Sequence, residues 1–411
     1  MKLLFCGPLK DFSGFAHASR SFLKCLNEGN LDLAARAITY DKLDGGKSIE
    51  PQPWLEELLR KDIQNVDMVI QMTTCNIEAV PVPGVCNGLY TFIESDRMQA
   101  AWVAKANEFD FIMVSCRANA EAMVRSGVTT PVLVCAVPCD KEMYEKPYTA
   151  YPIENAGERT IFYNICQLSQ KKGIDALLRA YYAAFADTPD DVLLVLKTYV
   201  NMADRTHDME MIKNFINRVK MSCRIPTDKL PPVLPLVQTM TDYQINGLHK
   251  RGDAYVCSSR AEGWCLPVFD ALGHGNTVIT NTAGGLNDFV RQEHALIYQG
   301  TSTFFYDIPH ADPGLFTGVE QCFEPSPVEM AFLMRKFHLL KKGAREGVLN
   351  EENQKEWESI LQRQANAKAV SSVFDYRAVH SKVIPQLESV FANWSRDDGT
   401  PLFEVVKDGD D

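Results

Sequence analysis

The chain has 411 residues, two to three times the ~100–200 that one hydrophobic core organises, so two domains are expected and a lone small binding module is excluded. With 46% hydrophobic, 23% charged and 10% aromatic residues, the composition is that of a soluble globular protein and excludes disordered, collagen-like and fibrous classes. The net charge of −11 is spread along the chain, residues 1–150 holding 15 basic against 19 acidic side chains, which argues against a basic nucleic-acid or membrane surface.

Strand and helix patterns alternate from the start, the mark of parallel sheets with crossover helices. Lys2–Cys6 reads as a buried strand, 8–14 as a loop, and Phe15, Ala18, Phe22 and Leu26 recur at helical spacing until Gly29. Further strands are expected at Met68–Gln71, Gly88–Ile93, Phe111–Val114 and Val132–Val137, with a helix at Arg117–Ser126. Residues 1–150 are thus expected to form one α/β unit, and the aperiodic stretch Tyr148–Gly157, flanked by Pro147 and containing Pro152, is expected to connect it to a second. In 158–365 the expected strands are Thr160–Asn164, Val192–Thr198, Val233–Leu236, Ala254–Cys257 and Thr277–Asn281, with helices at Gly173–Ala184, Met209–Met221 and Asp242–Lys250. Residues 366–411 close the chain with helical segments, of which Val379–Phe391 is amphipathic, and an acidic tail whose Asp-Gly-Asp string reads as a solvated terminus instead of a metal motif.

The twelve cysteines lie far apart from Cys6 to Cys322 without a C-x-x-C pair, and read as reduced thiols of a cytoplasmic protein. Polar residues interrupt every apolar run before the ~18 residues of a membrane span, and Met1 leads directly into a strand, so neither a transmembrane segment nor a cleaved signal is expected.

The chemistry concentrates in Arg260-Ala-Glu-Gly-Trp-Cys-Leu-Pro-Val-Phe-Asp-Ala-Leu-Gly-His-Gly275. A strand ends near Cys257, a loop carries Glu262 and Gly263, and Pro267 suits the first turn of the helix that follows. Backbone N–H groups at such a helix start bind anions and sugar hydroxyls; Gly263 permits close approach, and Glu262 offers a carboxylate to hydroxyl donors. Alone, the Glu-Gly dipeptide would only shape a turn.

The whole string resembles the signature of the retaining GT-B-fold glycosyltransferases of the family 4 type, two glutamates separated by seven residues within E-G-x-x-L-P-x-x-E-A-x-x-x-G. Glu262, Gly263, Leu266, Pro267, Ala271 and Gly275 match, and Asp270 stands at the second glutamate, one methylene shorter. Downstream, Ala283-Gly-Gly-Leu286 resembles the family's glycine turn beside the donor phosphates. Upstream, Gln167-Leu-Ser-Gln-Lys-Lys-Gly173 resembles the segment in which an arginine and a lysine neutralise the diphosphate; Lys172 and Gly173 match, whereas Gln167 occupies the arginine position and leaves Lys171 or Arg260 as substitute cations. In the first domain Ser13-Gly14-Phe15 resembles the family's phosphate-side glycine loop, and no G-x-G-x-x-G fingerprint supports nicotinamide chemistry. Glu94-Ser-Asp-Arg97 sits where the family places acceptor-side polar residues; either Glu94 and Asp96 hold the acceptor, or Ser95 and Asp96 cap a helix.

The resemblance implies two Rossmann-like α/β domains facing across a cleft and transfer of a sugar from a nucleotide-sugar donor to a hydroxyl of a glycan, protein or small molecule, with retention of configuration. It implies Glu262, Lys172 and Glu94 as catalytic residues, and Gly14, Gln167, Lys172, Gly263, Trp264, Cys265, Leu266 and Asp270 as donor-binding residues. The nucleotide sugar is the co-substrate, and no metal or other cofactor is expected because charge on the leaving diphosphate falls to Lys172 and helix dipoles. Two other readings stay open: a transferase acting on modified nucleic-acid bases, and a non-catalytic nucleotide-sugar-binding protein. His274, inside the signature helix, reads as packed.

Overall fold

A computed structural model describes residues 1–38, 49–75, 79–154, 156–200, 205–305 and 316–394; the acidic tail lies outside them. The described residues form two units, one drawn from Met1–Asp140, Pro313–Glu320 and Val373–Asp411, the other from Lys141–Asp312 and Gln321–Ser372.

The first unit runs β1 (Lys2–Pro8), α1 (Gly14–Leu26), β2 (Asp32–Ile38), α2 (Pro53–Arg60), β3 (Met68–Met72), β4 (Cys86–Thr91), α3 (Ala100–Ala106), β5 (Phe111–Val114), α4 (Arg117–Ser126) and β6 (Val132–Val134). The six strands form a parallel sheet in the order β2-β1-β3-β4-β5-β6. Its strands are apolar because helices cover both faces of a parallel sheet; Leu3, Phe5, Ile70, Leu89 and Ile112 are fully buried. β2 escapes the sequence pattern because Asp-Leu-Ala-Ala-Arg-Ala-Ile is poor in the β-branched and aromatic residues that favour strands.

The second unit runs β7 (Thr160–Gln167), α5 (Ile174–Phe185), β8 (Val192–Tyr199), α6 (Arg205–Cys223), β9 (Val233–Leu236), α7 (Asp242–Arg251), β10 (Ala254–Val256), α8 (Leu266–Gly273), β11 (Thr277–Thr280), β12 (Leu296–Ile297), β13 (Gly300–Phe304), β14 (Gln321–Pro325), α9 (Pro327–Glu346) and α10 (Glu351–Val373). Its parallel sheet has the order β12-β11-β10-β7-β8-β9, and β13 pairs with β14 in an antiparallel ribbon. One face of this sheet buries Phe162, Leu194, Leu196 and Val256 against Tyr181 and Phe185 of α5 and Phe337 of α9. The two-residue β12 and the ribbon, with its Gly-Thr-Ser-Thr-Phe strand, are too short or too polar to read from periodicity.

The expected α/β series is therefore present twice. The aperiodic stretch near Tyr148 belongs to the second unit, where Thr149 N donates to Tyr243 Oη (3.1 Å) and Tyr151 N to Gly247 O (2.8 Å), both acceptors on α7. The last helix, α11 (Tyr376–Trp394), packs on α1 in the first unit: Cys25 Sγ meets Tyr376 O at 3.4 Å, and His380 Nδ1 lies 2.9 Å from Cys25 O. A backbone bridge adds to it, with Cys139 N donating to Phe374 O (2.8 Å) and Tyr376 N to Cys139 O (3.0 Å).

Candidate functional site

In an open parallel sheet, ligands bind beyond the carboxyl ends of the strands, where the strand order reverses. In the second unit that point lies between β7, which starts the series toward β8 and β9, and β10, which starts the series toward β11 and β12. The loops leaving β7 and β10 hold Lys172 and Glu262.

After β7 the chain makes a short 3₁₀ turn, Gln170–Lys172, and enters α5 through Gly173 at φ +59°. A Cβ at Gly173 would stand 2.0 Å from Ser258 O, so only glycine lets this turn lie against the loop after β10. The two are laced further: Ser258 Oγ donates to Lys172 O (2.9 Å) and Arg260 N to Lys171 O (2.7 Å). Across this seam Lys172 Nζ donates to Glu262 Oε1 at 2.7 Å, and Ser259 Oγ donates to the same oxygen at 2.6 Å. Glu262 is 9% exposed. A carboxylate so enclosed needs its partners, and the pair fixes both side chains.

The glycine turn after β11 completes the wall. Gly285 N donates to Glu262 O (2.9 Å), and Cβ atoms at Gly284 and Gly285 would stand 2.5 Å from Glu262 O and 2.3 Å from Gly263 O. The expected Gly-Gly turn thus packs on the signature loop. α8 follows with Pro267 in its first turn and no side-chain cap, and its N-cap residue Cys265 holds the left-handed φ of +75°. Helix-start amides without a capping side chain are the donors that anions and hydroxyls use.

Not every expected donor residue presents its side chain there. Trp264 is buried, its ring 4.9 Å from that of Phe289 and 5.8 Å from that of Phe269, and Cys265 is buried with its thiol against that of Cys257. Their contribution to a ligand would be main-chain only. Arg260 does not serve as a substitute cation for the position of Gln167: its guanidinium is spent on Asp175 Oδ1 (3.0 Å), Glu324 Oε2 (2.6 Å) and Gln170 O (2.7 Å). Asp270 Oδ1 accepts from Tyr144 Oη at 2.8 Å, and burial pushes the carboxyl up to about 7, against the lowering effect of that hydrogen bond. Tyr144, Ser259 and the carboxylates that hold Arg260 escape sequence reading, Tyr144 because it lies 126 residues before Asp270. His274 is buried, with Nε2 2.6 Å from Asn246 Oδ1, and burial lowers it to about 4.

Gly14 and Glu94 belong to the first unit. Gly14 opens α1 behind the N-cap Ser13, whose hydroxyl accepts from Ala16 N at 3.1 Å; Asp11 Oδ1 accepts from Ser13 N (2.7 Å) and Arg20 Nη1 donates to Asp11 O (2.8 Å). The ring of Phe15 meets that of Phe92 edge-on at 5.3 Å, which brings the Gly14 loop beside the segment of Glu94. The helix-cap reading of Ser95 and Asp96 does not hold: no helix starts there, α3 beginning behind Gln99, while Ser95 Oγ donates to Arg97 O (2.7 Å) and Arg97 pairs with Asp96 at 2.9 Å.

Among the described residues no group of three or more His, Cys, Asp or Glu side chains is placed to hold a metal ion, and no helix is long and apolar enough to cross a membrane.

No protein-family description and no curated protein matches the chain. Solved structures do. Anabaena Alr3699/HepE in complex with UDP superposes with a TM-score of 0.55 at 14% identity, covering 95% of this chain and 100% of its own. The α,α-trehalose-phosphate synthase (UDP-forming) of Burkholderia xenovorans, in complex with glucose-6-phosphate, gives 0.63 at 11% identity over 94% and 100% of the chains. The E. coli trehalose-6-phosphate protein bound with UDP-2-fluoro glucose gives 0.61 at 11% over 94% and 99%. The likeness is one of fold: the chain has the GT-B architecture of two Rossmann-like units.

Proposed function

We propose that the protein is a retaining glycosyltransferase that moves a sugar from a nucleotide-sugar donor to an acceptor hydroxyl. The observation that carries this reading is the Lys172–Glu262 pair, set between a glycine turn and an uncapped helix start where the strand order of the second sheet reverses. The UDP and UDP-sugar complexes of proteins with this fold support a UDP-sugar as the first donor to test.

In this reading Lys172 faces the diphosphate and Glu262 accepts hydrogen bonds from the sugar hydroxyls, with Ser259 and Lys172 holding its carboxylate in place. The backbone from Gly263 to Leu266 lines the sugar, and Asp270 Oδ2 reaches the ribose while Oδ1 stays with Tyr144. The acceptor oxygen forms its bond to the anomeric carbon on the face from which the diphosphate departs. The carbon–oxygen bond to phosphate breaks, and the acceptor proton passes to the departing phosphate oxygen. Lys172 and the α8 amides stabilise the charge that develops there, the term that usually dominates catalysis of this kind. Gly14 and Glu94 are assigned to donor phosphates and acceptor respectively. A reducing, cytoplasmic setting suits twelve free cysteines.

The test is transfer or hydrolysis with UDP-, GDP- and ADP-sugars on the wild type and on Glu262→Gln. Turnover is expected in the wild type and a fall in kcat of about 10²-fold in the variant, the scale of one lost preorganised contact. Nucleotide binding without turnover on any donor would make the chain a nucleotide-sugar-binding protein; near-normal turnover in folded Glu262→Gln would remove Glu262 from the mechanism.

A further inference from the structure

The signature loop begins and ends on a cysteine. Cys257 follows β10 and Cys265 is the N-cap of α8, and the two are 1% and 6% exposed. Residues 258–264 between them double back so that the two thiols hydrogen-bond to each other. Both ends of the loop are pinned: Cys257 N donates to Ile279 O (2.9 Å), Cys257 O accepts from Tyr298 Oη (2.8 Å), and Cys265 O accepts from Phe269 N (3.2 Å). The loop in between carries Ser259 and Glu262, and the Glu262 carboxylate acts by its charge on both sulfurs.

The two thiols are not equivalent. The Cys265 thiol donates to Cys257 and draws it below the ordinary thiol range against the effect of burial, while burial pushes Cys265 up. Cys257 is thereby the sulfur that ionises, and the thiolate is the form that reacts. Cys166, a third thiol in the field of Lys172, Glu262 and Cys257, is pushed by burial up to about 12 and is not the nucleophile. Cys265 is one of three non-glycine residues with positive φ among the described residues, the kind of backbone strain that gathers at sites with two states.

We propose that Cys257 and Cys265 form a disulfide when a peroxide oxidises the protein, closing the signature loop upon itself. The Cys257 thiolate attacks one peroxide oxygen, the O–O bond breaks, water leaves and Cys257 becomes a sulfenic acid. The Cys265 sulfur then displaces that oxygen as a second water, so two thiols and one hydrogen peroxide give one disulfide and two waters. Because the loop ends are pinned, the adjustment falls on Ser259 and Glu262 and parts Glu262 from Lys172. In a reducing setting such a bond is transient, which suits a sensor. Its effect on turnover rests on the glycosyltransferase reading above.

The experiment treats the full folded chain with hydrogen peroxide, alkylates the remaining thiols in denaturant and digests with trypsin without reductant. Arg260 lies between the two cysteines, so the bond is read by mass as residues 252–260 joined to residues 261–291. The joined peptides are expected in the wild type, and are expected to be absent after dithiothreitol and in Cys265→Ala. Turnover is expected to fall at least about tenfold on oxidation, since Glu262 is a preorganised contact, and to return with dithiothreitol. Cys257→Ala should hold its own turnover through the same treatment, with Cys257→Ser in its place if the alanine variant does not fold. Alkylated Cys257 and Cys265 after peroxide would overturn the inference, as would Cys257 joined to Cys166; a joined pair with unchanged turnover would overturn its control of the site. A wild type that turns over no nucleotide sugar would overturn the glycosyltransferase reading, while the joined peptides still decide the disulfide.

Discussion

Asp270 shares its buried place with Tyr144. The tyrosine ring fills the slot over Gly273, where a Cβ would stand 2.8 Å from the ring, and its hydroxyl reaches Asp270 Oδ1. Burial favours the protonated carboxyl, raising it from 3.8 to about 7. The unfolded chain therefore releases this proton at lower pH than the folded chain, so between about 4 and 7 the folded state binds more protons and stability falls as pH rises. Above that window both states are ionised and the contribution is flat. Asp270→Asn, which keeps an oxygen for Tyr144, should lack this decline, and above neutral pH should melt higher than the wild type. Melting temperatures from pH 4 to 8 on both proteins check this; parallel profiles would show that Asp270 does not carry the effect.

At the scale of elements, the loops after β7 and β10 are tied to each other by hydrogen bonds. Arg260 is the knot. It joins the Gln170 turn, Asp175 in the first turn of α5 and Glu324 of β14, while its carbonyl accepts from Phe323 N at 3.0 Å. Arginine suits this because its planar fork meets two carboxylates at once, which lysine cannot. Arg260→Met should leave Asp175 and Glu324 without their cation and lower unfolding free energy by about 1–3 kcal/mol, less than for a fully buried pair because the carboxylates are partly exposed. Urea denaturation measures it. Arg260→Lys should recover only part of the loss; full recovery would mean that charge, and not the fork, holds the loops.

For the whole molecule, two α/β units of six parallel strands each follow from two series of buried strands and amphipathic helices. The positive charge proposed for the diphosphate comes from the chain itself: Lys172 and the start of α8. Turnover is accordingly expected to be unchanged after EDTA treatment, measured against the same enzyme supplied with manganese or magnesium. Strict dependence on either ion would contradict that reading.

The sequence by itself determined the doubled α/β architecture and where the chemistry sits along the chain. Strands such as Thr160–Gln167 and Val192–Tyr199 are largely apolar because they are covered on both faces, and glycines 173, 284 and 285 are required by close backbone approaches within motifs already local in sequence. Short or polar strands, β2, β12 and the β13–β14 ribbon, left no such trace, since their place is set by neighbours and not by their own periodicity. Only the tertiary structure decided how charges are shared out. Arg260, adjacent to the signature and open as a donor cation on sequence alone, is held by carboxylates 85 residues upstream and 64 residues downstream; Asp270 is held by a tyrosine 126 residues away. Charge pairing depends on distance through space over a few ångströms, and that distance is fixed when the sheet brings the loops after β7, β10 and β11 to one edge.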